Sequence, residues 1–244
     1  MAAIPISATP LASDPTLYGY WPLIGNSNDA GTGGNNGSDT DITYGNYLFG
    51  GGASFNGSTS IISATSNPTM TSYTCHGWIK TTLGQVSDFG AFSKSGVLNG
   101  IVHPGNRVQF AAYNTTPTFY NINPFYNFLQ DTWYMFDIIW DTANNLQKIY
   151  VNASSFFGSA GATTGNCQTN TNVFKIGTDQ FAELFNGEIV DVALFTRVLS
   201  ETELTNLYNG TFTSIKAVSG VAYGSVSKVS GVAKASISKI SGLA

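Results

Sequence analysis

The chain has 244 residues and a net charge of −4, with only 10% charged against 42% hydrophobic side chains. That length holds one large β domain, or one domain plus an appendage, and the apolar content excludes a disordered chain. Ten scattered Lys and Arg exclude nucleic-acid binding by counterion release. No apolar run approaches the roughly 20 residues of a membrane span.

The opening MAAIPISATPLASDP lacks the basic and apolar regions of a secretory signal. Residues 1–13 are expected to form an extended arm and 14–210 the folded domain. Short polar side chains, many glycines and 13% aromatics suit short strands and tight turns. YGYWPL (18–23) reads as the first strand. NSNDAGTGGNNGSDTD (26–41) reads as loop throughout. ASFNGSTSIIS (53–63) reads as two strands about Asn56-Gly57, a hairpin signal. SYTCHGWIK (72–80), RVQFAAY (107–113), TWYMFDIIWD (132–141), KIYVNASSF (148–156), VFKIGT (173–178) and GEIVDVALF (187–195) follow as strands. This spacing fits an all-β sandwich or jelly roll. Trp21, Trp78, Trp133 and Trp140 sit in strand patterns and are expected in the core. Cys75 and Cys167 lack the spacing of a zinc site, and a sandwich of this size needs no staple, so two free thiols are expected rather than a disulfide.

One short helix is expected at 201–208. Ser200 and Glu203 form a capping box, Leu199 and Leu204 a hydrophobic staple, and Gly210 lies at the stop. The composition then changes. Residues 211–244 carry an 11-residue period, with SGVA, SGVA and SGLA beginning at 219, 230 and 241. Val218, Val221, Val229, Val232, Ile240 and Leu243 recur at matching places. Gly, Ser and β-branched residues disfavour a helix here. Three short units cannot bury their own apolar stripe. The expectation is a tail that pairs with copies of itself or with another protein; the alternative is a flexible linker.

The ordered segments YGYWPLIGNSNDAGTGGN, ASFNGSTSIIS, SYTCHGWIK, KIYVNASS, FKIGTD and FNGEIVDVALFTRVLSETELTNLY resemble the laminin-G-like, concanavalin A-like lectin/glucanase fold over about residues 17–210. The resemblance implies a two-sheet antiparallel jelly roll. It implies function only loosely, because this fold hosts lectins, adhesion modules and hydrolases. The tail repeat resembles those of phage structural proteins. Together these point to a non-enzymatic viral surface or fibre protein, made in the host cytoplasm, oligomeric through its tail and displaying a lectin-like domain toward host glycans. The alternatives are a cellular, extracellular carbohydrate-binding or adhesion module and a glycan hydrolase.

The hydrolase alternative turns on Glu188 and Asp191. Glucanases of this fold place carboxylates two apart on one strand. A strand alternates faces with period two, so these residues, three apart, are expected on opposite faces and unable to flank one glycosidic bond. Only four Glu exist, and Glu201 and Glu203 belong to the helix. His76 and His103 have no nucleophile motif nearby; His76 is expected at a strand surface or partly buried. No cofactor is required on this reading.

The resemblance also implies a possible calcium ion held by Asp29 and Asp191, through the hard oxygen ligands calcium prefers. The alternative is that Asp29 caps its own turn and Asp191 bonds a neighbouring loop. For sugars, aromatic faces and amide side chains are needed. YNTTPTFYNINPFYNF (113–128) supplies them, with Tyr113, Asn114, Phe119, Tyr120 and Tyr126 as candidates. These rings either meet a glycan or pack under a loop or into a subunit interface.

Overall fold

The structure is a computed structural model that describes residues 3–64, 70–82, 88–103, 107–115, 119–160, 166–168, 170–212, 217–218, 221–222, 228–229 and 232–233. Among these the strands are β1 (Leu17–Trp21), β2 (Gly37–Thr40), β3 (Thr43–Leu48), β4 (Gly51–Asn56), β5 (Ile61–Ala64), β6 (Tyr73–Thr81), β7 (Phe89–Lys94), β8 (Leu98–His103), β9 (Arg107–Tyr113), β10 (Phe119–Ile122), β11 (Tyr134–Asp141), β12 (Leu146–Val151), β13 (Ser154–Ala160), β14 (Lys175–Ile176) and β15 (Asn186–Phe195). They form two antiparallel sheets. The first runs β13-β12-β11-β6-β15-β4-β3, with β1 also paired to β15; the second runs β10-β9-β8-β7-β14-β5-β2. This is the jelly-roll sandwich that the strand spacing anticipates.

The two sheets close on a core that includes Trp21, Phe55, Phe92, Phe110, Phe136, Trp140 and Val192. Trp21 stacks on Phe174 at 5.2 Å between ring centres. A second apolar cluster covers the outer face of the first sheet and includes Trp78, Met135, Ile139, Tyr150, Val190 and Phe195. Helix α1 (Glu201–Asn209) lies against it and buries Leu204 and Leu207. Each of those leucines contributes about 1.5–3 kcal/mol on burial. Ser200 caps α1 with the reciprocal Glu203 bond, and Gly210 ends it at φ 67°, as the sequence anticipates. Trp133, expected in the core, is only half-buried.

Several elements depart from the sequence reading. The polar stretch 26–41 contains β2, an exposed edge strand made of Gly, Ser, Asp and Thr, ordered by its ladder with β5. Strands β7 and β8 are buried along nearly their whole length, which removes the alternation that marks a strand with one wet face. The single strand read at 148–156 is a hairpin, β12 and β13, turning at Asn152 and Ala153, both with positive φ. Residues 3–13 are not an extended arm. They form 3-10 turns at Ile6–Ala8 and Pro10–Ser13, with Ile6 and Leu11 buried on the first sheet.

In the tail, β16 (Ala217–Val218) pairs with β17 (Val221–Ala222), and β18 (Lys228–Val229) with β19 (Val232–Ala233). Val218 faces Val221 and, eleven residues on, Val229 faces Val232. Ile240 and Leu243 lie outside the described residues.

Gly187, the second residue of β15, sits at φ 146°, and a Cβ there would fall 2.0 Å from the Lys80 carbonyl oxygen. Backbone cannot yield as a side chain can, so strain adds to overpacking. Gly187→Ala is expected to destabilise the domain by about 2–4 kcal/mol, read as a lowered midpoint in urea unfolding.

Candidate functional site

The carboxylate pair lies on β15. Its register with β6 shifts between Val190 and Ala193, and Asp191 sits in the left-handed region at φ 57°. This is a β-bulge, and it overturns the expectation of opposite faces. Ile189 and Val192 point into the inter-sheet core, while Val190 lies in the outer cluster. The extra residue leaves Asp191 on that same outer side, where it meets Ile6 and Tyr20. Glu188, opposite Lys80 in the ladder, shares the face. The only local sign in the sequence is an Asp, tolerant of positive φ, inside a β-branched run. The bulge falls where the neighbour of β15 changes from β4 to β1.

The bulge completes a buried polar row across β11, β6, β15 and β1. His76 Nδ1 lies 2.6 Å from Asp137 Oδ1, and its Nε2 lies 3.7 Å from Asp191 Oδ2. The first is a charge-assisted hydrogen bond; the second is a Coulombic approach. The Tyr20 hydroxyl donates to Asp191 Oδ1 at 2.7 Å. His76, expected near a surface, is fully buried, as is Asp137. Burial works to lower the His76 pKa, but Asp137 and then Asp191 outweigh it and raise it to about 9. Burial raises Asp137, opposed by His76. Burial, then Asp191, also holds the Tyr20 hydroxyl well above its ordinary pKa. Sequence reasoning missed this row because Asp137 and His76 are 61 residues apart and become neighbours only through the β6–β11 ladder.

The N-terminal segment seals the row. Ile6 N donates to both Asp191 oxygens, at 3.2 and 3.0 Å. Ile4 N donates to the Leu207 carbonyl of α1 at 3.2 Å. Arg197 donates to Asp14 and Glu203 at 2.6 Å each, joining the end of that segment to the helix. Asp191 is left 1% exposed. The cavity beside it, lined by Pro5, Ser7, Tyr20 and Val190 among others, holds about 20 Å³. That is room for a water and not for a sugar ring. Glu188 lies 3.2 Å from Lys80 Nζ, and Lys80 lies over the Trp133 ring at 5.6 Å.

The candidate calcium ligands meet different donors. Asp29 accepts the backbone N–H groups of Tyr20, Gly31 and Asn35 at 2.8–2.9 Å. It caps its own loop, and Asp191 bonds the N-terminal segment. Both oxygens of each carboxylate are engaged, so a cation would have to displace these donors. Among the described residues no group of three His, Cys, Asp or Glu is placed to hold a metal ion.

The aromatic segment is partly assembled. Phe119 pairs with Tyr113 in the β9–β10 ladder. Asn114 Nδ2 approaches the Tyr120 hydroxyl at 3.4 Å. The Tyr120 ring packs edge-on to Trp140 at 5.8 Å, and Tyr126 packs on Phe128 and Tyr134. The structure thus turns the rings of Tyr120 and Tyr126 toward the core. Among the described side chains of the segment, Phe125 is the most exposed ring, at 67%. Cys75 and Cys167 are buried free thiols.

A family model, Laminin_G_3, described as the concanavalin A-like lectin/glucanases superfamily, matches residues 50–205. The chain belongs to this superfamily. No curated protein matches this chain. Among solved structures, domain 4 of an extracellular GH43 arabinanase from Geobacillus stearothermophilus, in complex with arabinotriose, is similar at TM-score 0.65 and 20% identity over 79% of this chain and 98% of that one. The binding domain of Paraclostridial Mosquitocidal Protein 1 is similar at TM-score 0.66 and 12% identity, over 80% of this chain and 52% of that one. The receptor binding domain of botulinum neurotoxin C/D mosaic serotype gives TM-score 0.62 and 12% identity, over 80% and 51%. The chain therefore spans about half of the two toxin structures. At these identities the likeness is one of fold.

The buried row makes stability depend on pH. A histidine whose folded pKa stands near 9 against an ordinary 6.5 contributes fully below pH 6.5, and that contribution is lost as pH rises through 9. Thermal unfolding followed by circular dichroism is expected to show a falling midpoint between pH 6.5 and 9.5. Asp137→Asn should lower stability by about 3–5 kcal/mol and flatten that dependence.

Proposed function

We propose that the chain is a non-enzymatic, lectin-like binding protein of a viral particle surface, in which the sandwich engages host-surface glycans and the tail anchors or oligomerises. The observation that carries the binding over the hydrolytic reading is the sealing of Asp191. The bulge brings Glu188 and Asp191 to one face, as a glucanase would need, yet residues 5–7 and the Tyr20 hydroxyl occupy the place of a substrate. A carboxylate 1% exposed and engaged on both oxygens cannot reach an anomeric carbon. The complex of the arabinanase domain with arabinotriose supports a sugar as ligand class for this architecture.

The tail supports the assembly half of the reading. Isolated two-stranded pairs are marginal in water, and two-residue strands more so. Pairs repeated eleven residues apart, each with Val in register with Val, would gain stability by stacking on equivalent pairs of other copies. The resemblance of the repeat to phage structural proteins supports a virion as the setting.

Two measurements test this reading. The full chain should bind a neutral oligosaccharide and release no reducing ends from it; turnover would contradict it. By light scattering the full chain should be an oligomer, and a chain ending at Gly210 a folded monomer. Two monomers would remove the tail's assembly role.

A further inference from the structure

Resting on the reading of the chain as a glycan binder, we infer that a neutral oligosaccharide is held in a cleft on the outer face of the second sheet, between Lys175 and the turn that carries Asp179 and Phe181. The cleft has a volume of about 370 Å³, within the ~300–1,000 Å³ of small-molecule sites. Its floor comes from outward-facing residues of β5, β14 and β7, with Lys175 in register between Ser63 and Ser93. Ile61, Ser93 and Lys175 line it from the strands, and Asn172, Asp179 and Gln180 from the loop.

The turn over the cleft is built for position. It packs against Gly90, where a Cβ would come within 1.9 Å of the Asp179 nitrogen. Asp179 Oδ1 accepts from Phe181 N and Glu183 N at 2.8 Å each. Gln180 N donates to Asn99 Oδ1 at 3.1 Å. Ala182 is held at φ 66°, a conformation that is strained without glycine and persists where its surroundings fix it. The consequence is a phenylalanine at the apex, 68% exposed, between two residues that line the cleft. The far wall is fixed by Lys94, a buried ammonium donating to the Asn170 carbonyl and Oδ1 at 3.2 Å each, and to the Asn172 carbonyl. Asn170 and Asn172 in turn donate their amides to the Ser95 carbonyl.

The chemistry of this cleft selects its ligand. Asp179 is 3% exposed, yet its Oδ2 has no hydrogen-bond donor among the described residues. Its neighbour Glu183 donates only when protonated. Burial and then Asp179 raise the Glu183 pKa to about 7, so above that pH two carboxylates face each other. A neutral sugar entering the cleft adds no charge beside this buried pair, whereas a uronate or sialate carboxylate adds a third. Lys175, Gln180 and Asn172 meet further hydroxyls, and the Phe181 ring meets an apolar sugar face.

Isothermal titration of the full chain with arabinotriose, xylotriose, cellotriose and trigalacturonate tests this. At least one neutral trisaccharide should bind and trigalacturonate should not. Phe181→Ala and Asp179→Asn should each weaken binding roughly tenfold, while Phe125→Ala should leave it within about twofold. Because Phe181 is exposed, its variant keeps the fold. If folded Phe181→Ala and Asp179→Asn bind like the parent, or if trigalacturonate binds best, the cleft assignment is overturned and glycan binding itself stands. Loss of binding in Phe125→Ala alone would return the site to the aromatic segment. If the parent binds none of the four, the glycan reading falls with the cleft.

Discussion

The buried His76 imidazole between Asp137 and Asp191 is the constraint on which the rest of the molecule depends. Three ionisable groups without solvent are stable only when each has a partner, because an uncompensated buried charge costs several kcal/mol. That requirement explains the bulge at Asp191, which carries a carboxylate to the outer face of the first sheet. It explains why Tyr20 aims its hydroxyl there, and why the backbone at Ile6 is drawn down to donate to both oxygens. The N-terminal segment is thus part of the domain, tied by the same bonds that take the place of water at the buried Asp191 carboxylate.

The two sheets end with different outer faces. That of the first is covered by residues 3–13 and α1 over a continuous apolar cluster. On the second, a polar cleft stays accessible beneath a strained turn. On the proposed reading, a fold shared by lectins and hydrolases is turned toward binding by which face it leaves accessible, since function resides in sites and not in the fold. Glu188 and Asp191 have the face that hydrolysis needs and lack the access.

Much of the fold was legible because strand spacing, the Asn56-Gly57 turn and the Ser200 capping box are local signals. The strands that escaped lacked such signals. Strands β7 and β8 are buried along nearly their whole length and do not alternate, and β2 is polar and ordered only by its partner. The candidate site was less legible. Asp29 does cap its loop, but the His76–Asp137 contact depends on strand pairing, and the bulge depends on a change of neighbour along β15. The aromatic richness of 113–128 fits a glycan surface and packing under a loop alike, and Tyr120 and Tyr126 spend their faces on Trp140, Phe128 and Tyr134. Asp179 and Phe181 looked unremarkable in sequence; only the unpartnered oxygen and the positive φ at Ala182 single them out.

On the proposed reading, ligand meets the second sheet while the carboxylates of the first stay sealed. Hydrogen–deuterium exchange of the full chain, with and without the tightest-binding of the four trisaccharides, addresses both halves at once. New protection is expected, confined to residues 172–184, with exchange at residues 3–13 unchanged. Protection or opening at residues 3–13 on adding sugar, with 172–184 unaffected, would contradict it.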